Sequence, residues 1–391
     1  MQYLNFSLEA IQDLITTFSV DIATRRAFST YIAAASSFKN LRSLDLDLFC
    51  DSLTNWSVDM LGSLANIPKL KAFKLTASVP LEQYIQQLKL PESLNALILQ
   101  FRDAYTKVEN TTIIRPVEKA FERLVELISS LKNLRSLRIE MHPAHDGIHI
   151  IFTEAFKQLM QRLPPMIEDL SIIEWYFINR SHTLSAEQLM IPSPQLVKCL
   201  SEMKSLKNLS LYMNISLFES PIKYVLEDLR ALALTLNVES CSINEALVAL
   251  NPEKLDCLSI WNRGPRLGWI SEGDFIEFCE NLKEFELIKE LKIIGFYLGE
   301  VTEGCMNAMI EALIGLRYLE SCMISIFVKK SYQDGEGMKR LKEVISVKKR
   351  LRSAKIKIES SEENRAMQEG FEVSLERSDK GTVVNNNNGG V

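Results

Sequence analysis

Apolar residues recur along the chain with the spacing L-x-x-L-x-L. The pattern fits Leu41/Leu44/Leu46, Leu70/Phe73/Leu75, Leu94/Leu97/Leu99, Leu134/Leu137/Ile139, Ile167/Leu170/Ile172 and Leu206/Leu209/Leu211. It continues at Leu229/Leu232/Leu234, Leu255/Leu258/Ile260, Ile288/Leu291/Ile293, Leu319/Cys322/Ile324 and Leu351/Ala354/Ile356. These eleven copies begin 23 to 40 residues apart, and two share the phrase KNLRSL, from Lys39 and from Lys132. The L-x-L part alternates, so its apolar side chains point to one side of a strand and their neighbours to the other. Between copies, apolar residues recur at steps of three and four, as in Phe121, Leu124, Leu127, Ile128 and Leu131, which predicts helices. Asn55–Ile67, Val117–Leu131 and Glu272–Phe285 read this way. One strand plus one helix cannot bury its own hydrophobic face, so the units are expected to stack.

On these residues the chain resembles a leucine-rich repeat protein of the long-repeat, ribonuclease-inhibitor-like kind, over roughly Phe38 to Ile358. The resemblance implies an α/β fold, a right-handed solenoid shaped as a horseshoe. Parallel strands would line its concave face and helices its convex face, in about eleven repeats. One feature departs from that pattern. The ninth-position asparagine appears only as Asn214 and Asn237; elsewhere Phe49, Ser78, Arg102, His142, Trp175, Arg263, Phe296, Phe327 and Glu359 stand there. Phe101–Pro116 and Tyr176–Pro194 read as enlarged loops. The expected organisation is a helical cap over residues 1–37, repeats over 38–359, and a disordered, polar, asparagine-rich tail over 360–391.

If the strands line an inner curve, the residues flanking each L-x-L form one surface. Ile173, Tyr212, Trp261, Ile294 and Met323 would then expose apolar and aromatic area, joined by Trp175 just past its strand. Aromatics on an otherwise polar rigid surface are what protein hot spots are built from. Asp45 and Asp47 would lie at one end of this face and Lys355 and Lys357 at the other, giving a charge gradient. A register slip of one residue would reverse the two faces.

Composition narrows the reading. The chain has 391 residues, 47% hydrophobic and 24% charged, with a net charge of −5, which argues mildly against a dedicated nucleic-acid binder. The opening MQYLNFSLEAIQDL lacks the pattern of a secretory signal, and no apolar run reaches the roughly 18 residues of a spanning helix. Seven scattered cysteines without a CxxC pair fit reduced thiols, so a cytoplasmic protein without a membrane partner is expected.

Chemistry is sparse. His142, His145, Asp146 and His149 fall within eight residues, but Pro143 and Gly147 make that stretch a loop, read as solvated rather than metal-binding. GEVTEGCM from Gly299 has the glycine spacing of a phosphate loop, with Cys305 and Met306 where Lys and Ser/Thr are needed. No catalytic residue, cofactor or metal is expected, and Cys279 reads as helix core. The run KKRLRSAKIKI from Lys348 reads as a solvated helix end and edge strand, or as a patch for acidic proteins, anionic lipid or RNA. The expected function is a non-catalytic scaffold that grips a protein partner on its concave face. The alternatives are an activator of a small GTPase acting through the Asp45/Asp47 end, or a substrate-recognition subunit of a ligase complex.

Overall fold

The structure, a computed structural model, describes residues 14–22, 25–48, 58–77, 85–101, 114–141, 155–174, 198–200, 202–212, 228–236, 244, 247, 250–262, 270–328, 335–360, 370–378 and 381–388. The chain divides into two compact units: Met1–Ile191 with Glu202–Leu206, and Pro192–Ser201 with Lys207–Val391.

The first unit carries strands β1 (Thr17–Ile22), β2 (Ser43–Leu48), β3 (Ala72–Ala77), β4 (Ala96–Phe101), β5 (Ser136–Met141) and β6 (Asp169–Glu174). Each pairs in parallel with the next along the chain. Register places the repeated leucines side by side. Leu44, Phe73, Leu97, Leu137 and Leu170 make one row, and Leu46, Leu75, Leu99, Ile139 and Ile172 the next. Both rows are buried. Between the strands lie α1 (Arg25–Ser37), a 3-10 helix (Val58–Asn66) and α2 (Ile114–Ser130).

The second unit repeats the arrangement with β7 (Asn208–Tyr212), β8 (Ala231–Leu236), β9 (Cys257–Asn262), β10 (Glu290–Leu298), β11 (Ser321–Val328) and β12 (Ser353–Ser360), all parallel. Three helices cover it: α3 (Glu272–Leu282), α4 (Glu303–Gly315) and α5 (Gly335–Val347). Ser271 and Thr302 cap α3 and α4, accepting from the main-chain N–H groups of Asp274 and Cys305 and so satisfying donors that the first turn leaves unbonded. Phe278 of α3 packs edge-on against Phe296 of β10 with ring centroids 5.4 Å apart. A helical layer thus seals one side of the strands.

All eleven sequence copies fall on strands, β2 to β12. The first leucine of most copies closes a tight turn: Leu41, Leu134, Leu319 and Leu351 donate to the carbonyls of Phe38, Leu131, Leu316 and Lys348. The residue after it starts a lateral ladder. The Arg42 carbonyl accepts from both Lys71 and Ala72, that of Lys289 from both Glu320 and Ser321, and the same double bond recurs at other strand entries. KNLRSL is therefore turn plus strand entry, reused because the backbone task is the same.

Three expectations differ from what the structure holds. β1 occupies part of the stretch read as a helical cap, because Phe18, Val20 and Ile22 alternate with polar residues and pair with Leu44, Leu46 and Leu48. Only Val58–Asn66 of the helix expected at Asn55–Ile67 is helical among the described residues, and it is a 3-10 turn. Within the stretch read as a disordered tail lie β13 (Gly370–Ser378) and β14 (Gly381–Asn388), an antiparallel pair added to β12. Val373 and Leu375, which extend the rows of Ile356 and Ala354, are buried and seat β13.

Candidate functional site

In each unit the side of the strands away from the described helices carries the positions between the leucines, and the two units use it differently. In the first unit this face is polar and laced with side-chain bonds. Asp45 Oδ2 accepts from Lys74 Nζ at 2.9 Å, with both side chains about one-third exposed. Thr76 donates to Gln100 at 3.0 Å, Gln100 donates to Glu140 at 2.7 Å, and Arg138 holds the same carboxylate at 3.1 Å. This chain of bonds crosses β3, β4 and β5, while the second carboxylate oxygen of Asp45 is buried without a hydrogen bond. Asp47 lies half-buried on the same face. Ile173, expected as an exposed apolar contact, is 6% exposed. It pairs laterally with Glu140, whose own side chain is mostly covered.

The second unit gathers apolar and aromatic side chains on its face. Trp261 of β9 is half-buried, donates from Nε1 to Ser259 Oγ at 2.9 Å and pairs laterally with Ile294 of β10. Met323 of β11 is 37% exposed. It pairs with Lys292, which has no ion-pair partner among the described residues. Tyr297 of β10 and Phe327 of β11 stack at 4.9 Å with ring planes 17° apart. Burial pushes the Tyr297 hydroxyl pKa up.

Strict alternation after Ile294 would put Phe296 on this face and Tyr297 in the core. A β-bulge at Gly295 reverses them. Gly295 has φ 82°, a conformation that side-chain-bearing residues rarely adopt, and the pairing with β11 skips it. Phe296 is consequently buried under α3, while Tyr297 joins Phe327 on the face. The sequence reading missed both rings of this stack. The available signal was a lone glycine inside the apolar run ELKIIGFYL.

The basic end is not bare. Glu372 of β13 sits against Lys355 at 3.3 Å and Lys357 at 3.2 Å, and Lys357 also reaches Glu359 at 3.2 Å. The expected charge gradient is thereby blunted where it was to be most positive. Tyr212 ends β7, but its side chain, like Trp175 and the His142–His149 stretch, lies outside the described residues. Among the described residues no group of three His, Cys, Asp or Glu could hold a metal ion, and no helix is long and apolar enough to cross a membrane. Cys279 is buried in α3, and burial drives its thiol pKa far up, which suits the core position read from the sequence.

Comparison with known proteins adds little. No protein family matches the chain, and no curated protein does. A crystal structure of a protein from Bacteroides fragilis aligns over 65% of this chain at 11% identity with a TM-score of 0.26. This chain spans 64% of that protein's length. The repeat-like α/β architecture, two runs of parallel strands in chain order with helices between them, rests on the register and burial described above.

Proposed function

We propose that the chain is a leucine-rich repeat scaffold without catalytic activity, a right-handed horseshoe of about eleven repeats in the cytoplasm that binds a protein partner. The binding surface is the strand face of the second unit away from the described helices. The observation that carries this reading is the Tyr297–Phe327 stack on that face, with Trp261, Ile294 and Met323 around it. Aromatic rings left partly solvated on a rigid surface suit a hot spot, because burying them against a partner gains apolar area with little ordering cost. The self-bonded polar face of the first unit favours the second unit as the place of contact.

The test is a Tyr297→Ala/Phe327→Ala double variant, with Trp261→Ala made separately. Thermal melts should stay close to the parent. Proteins captured from the native organism should lose one specific partner when compared by mass spectrometry. An unchanged set of captured proteins with either variant would reject the reading.

A further inference from the structure

The strands of the second unit end on β14, whose outer edge carries the main-chain donors and acceptors that β13 does not take. β14 is the last strand in the sheet order, and among the described residues β13 is its one strand partner. In an antiparallel pair alternate residues turn their N–H and C=O groups away from the neighbouring strand, so this eight-residue strand presents a row of them outward. Such an edge is a template for a further strand.

Edge strands are kept from pairing by charge, proline, a bulge or shortness, and β14 has none of these. Its sequence GTVVNNNN holds no Lys, Arg, Asp, Glu or Pro. The register runs without a shift from Phe371↔Asn388 to Ser378↔Gly381, so no bulge bends the strand away. The strands inside it are charged by contrast: β12 carries Lys355, Lys357 and Glu359, and β13 carries Glu372, Glu376 and Arg377. Charge thus stands on the covered strands and is missing from the uncovered one. An uncharged segment of β-branched residues and asparagines favours a copy of itself, because identical strands match in length and set no like charges against one another. A charged peptide would find no counter-charge within β14. Two copies related by a twofold axis cover each other's edge along its length and leave neither open.

We infer that β14 is a self-association edge: the β14 strands of two copies of this chain pair antiparallel about a twofold axis and join their sheets. The contact closes at two copies, since each edge is used once. It is made by main-chain groups at the strand edge and shares no residue with the strand face proposed for a protein partner, so the two readings stand or fall separately.

The experiment is sedimentation equilibrium of the full chain from about 1 to about 100 µM. The mass should rise from one copy toward two and stop there. Asn385→Lys/Asn387→Lys supplies the missing charge at positions opposite Ser374 and Glu372, off the row of Val373 and Leu375 that seats the hairpin. It should weaken association by about tenfold or more, because like charges then meet across the twofold axis. The uncharged Asn385→Thr/Asn387→Thr variant should associate as the parent does, and thermal melts of both should match the parent's. Hydrogen exchange of the β14 amides in the unaltered chain, which needs no substitution, should slow as concentration rises. A chain that stays monomeric across the range overturns the inference. So does a dimer that the lysine variant leaves intact, since its contact would lie elsewhere on the surface. Assembly that grows past two copies would mean an open-ended contact and likewise overturns it.

Discussion

Lys357 of β12 donates to Glu372 of β13 at 3.2 Å, and Lys355 reaches the same carboxylate at 3.3 Å. One acidic residue thus bridges two lysines on the last parallel strand and fastens an antiparallel hairpin to the sheet edge. Beneath the pair, Val373 and Leu375 continue the buried rows of Ile356 and Ala354. The hairpin is held by apolar seating on one side and ion pairing on the other. An open edge on β12 would invite pairing with other chains, and β13 covers it.

The pair gives the docking a defined pH range. Burial pushes the Glu372 carboxyl upward, but the hydrogen bonds from Lys357 and Lys355 outweigh it and its pKa ends below the ordinary 4.5. Its contribution is therefore full above about that value and is lost as pH falls through the lower folded value. The Glu372 bond raises the Lys357 pKa above 10.5, so that side contributes fully below 10.5 and is lost as pH rises through the folded value. Glu372→Gln should cost on the order of 0.5–1 kcal/mol near pH 7. The gap between its melting curve and the parent's should close below the glutamate range. A gap that persists at pH 2 would mean the residue acts by packing instead.

How far the sequence determines this picture depends on how regular each stretch is. Leu44, Leu97 and Leu291 were legible as inward-facing because two-residue alternation marks every copy and a fixed turn precedes most of them, and their rows are buried as the pattern requires. Tyr297 was not legible, because the bulge at Gly295 inverts the alternation after Ile294. Ile173 falls between the leucine positions as the alternation requires, yet it is buried, because exposure depends on neighbours that alternation does not encode. Lys355 and Lys357 lie on β12, but the carboxylate that neutralises them comes from a segment whose polar composition hid two strands.

The bulge makes adjacent aromatics unequal. Phe296 is fully buried against Phe275 and Phe278, whereas its neighbour Tyr297 lies on the open face with Phe327. Phe296→Ala should destabilise by about 3–5 kcal/mol, the usual cost of emptying a core phenylalanine site. Phe327→Ala should cost about 1 kcal/mol, mostly the lost stack. Urea titration of both variants decides the register. Equal costs would place the two rings in equivalent environments and remove the bulge from the account.

Gly295 itself should resist substitution. At φ 82° an alanine Cβ crowds the following carbonyl, a strain of about 1–2 kcal/mol for an L-residue. Gly295→Ala should lower stability by that amount. Near-ultraviolet circular dichroism, which reports the fixed environment of Tyr297 and its neighbours, should change with it. A neutral outcome would show that the strand can pair with β11 without the left-handed residue.

Lys348 ties α4 to the turn after α5 by donating to the carbonyl of Leu316, one of the acceptors that a helix end leaves without an intrahelical partner. Burial lowers its pKa, so the bond is formed at the cost of partial desolvation. Lys348→Met keeps the aliphatic stem and removes the donor, and should cost about 1–2 kcal/mol in urea titrations at pH 7. A stability equal to the parent's would mean that water replaces the ammonium at those carbonyls.

Cys322 of β11, buried beside Ala354 of β12, gives the fold an alkaline weakness. Burial pushes its thiol pKa up to about 12 from an ordinary 9.0, with Lys348 opposing only slightly. Below pH 9 the thiol is protonated in folded and unfolded chains alike and contributes nothing to the pH dependence. Above 9 the unfolded chain releases the proton while the folded chain retains it, so unfolding gains about 1.4 kcal/mol per pH unit from this one group. Cys322→Ala loses some packing at every pH but should flatten the decline in stability between pH 9 and about 11. Measuring urea midpoints of both proteins across that range tests the point, with iodoacetamide labelling as a check: Cys322 should stay unmodified in the folded chain at pH 9 and react once urea unfolds it. Parallel declines for the two proteins would show that the thiol ionises freely within the fold.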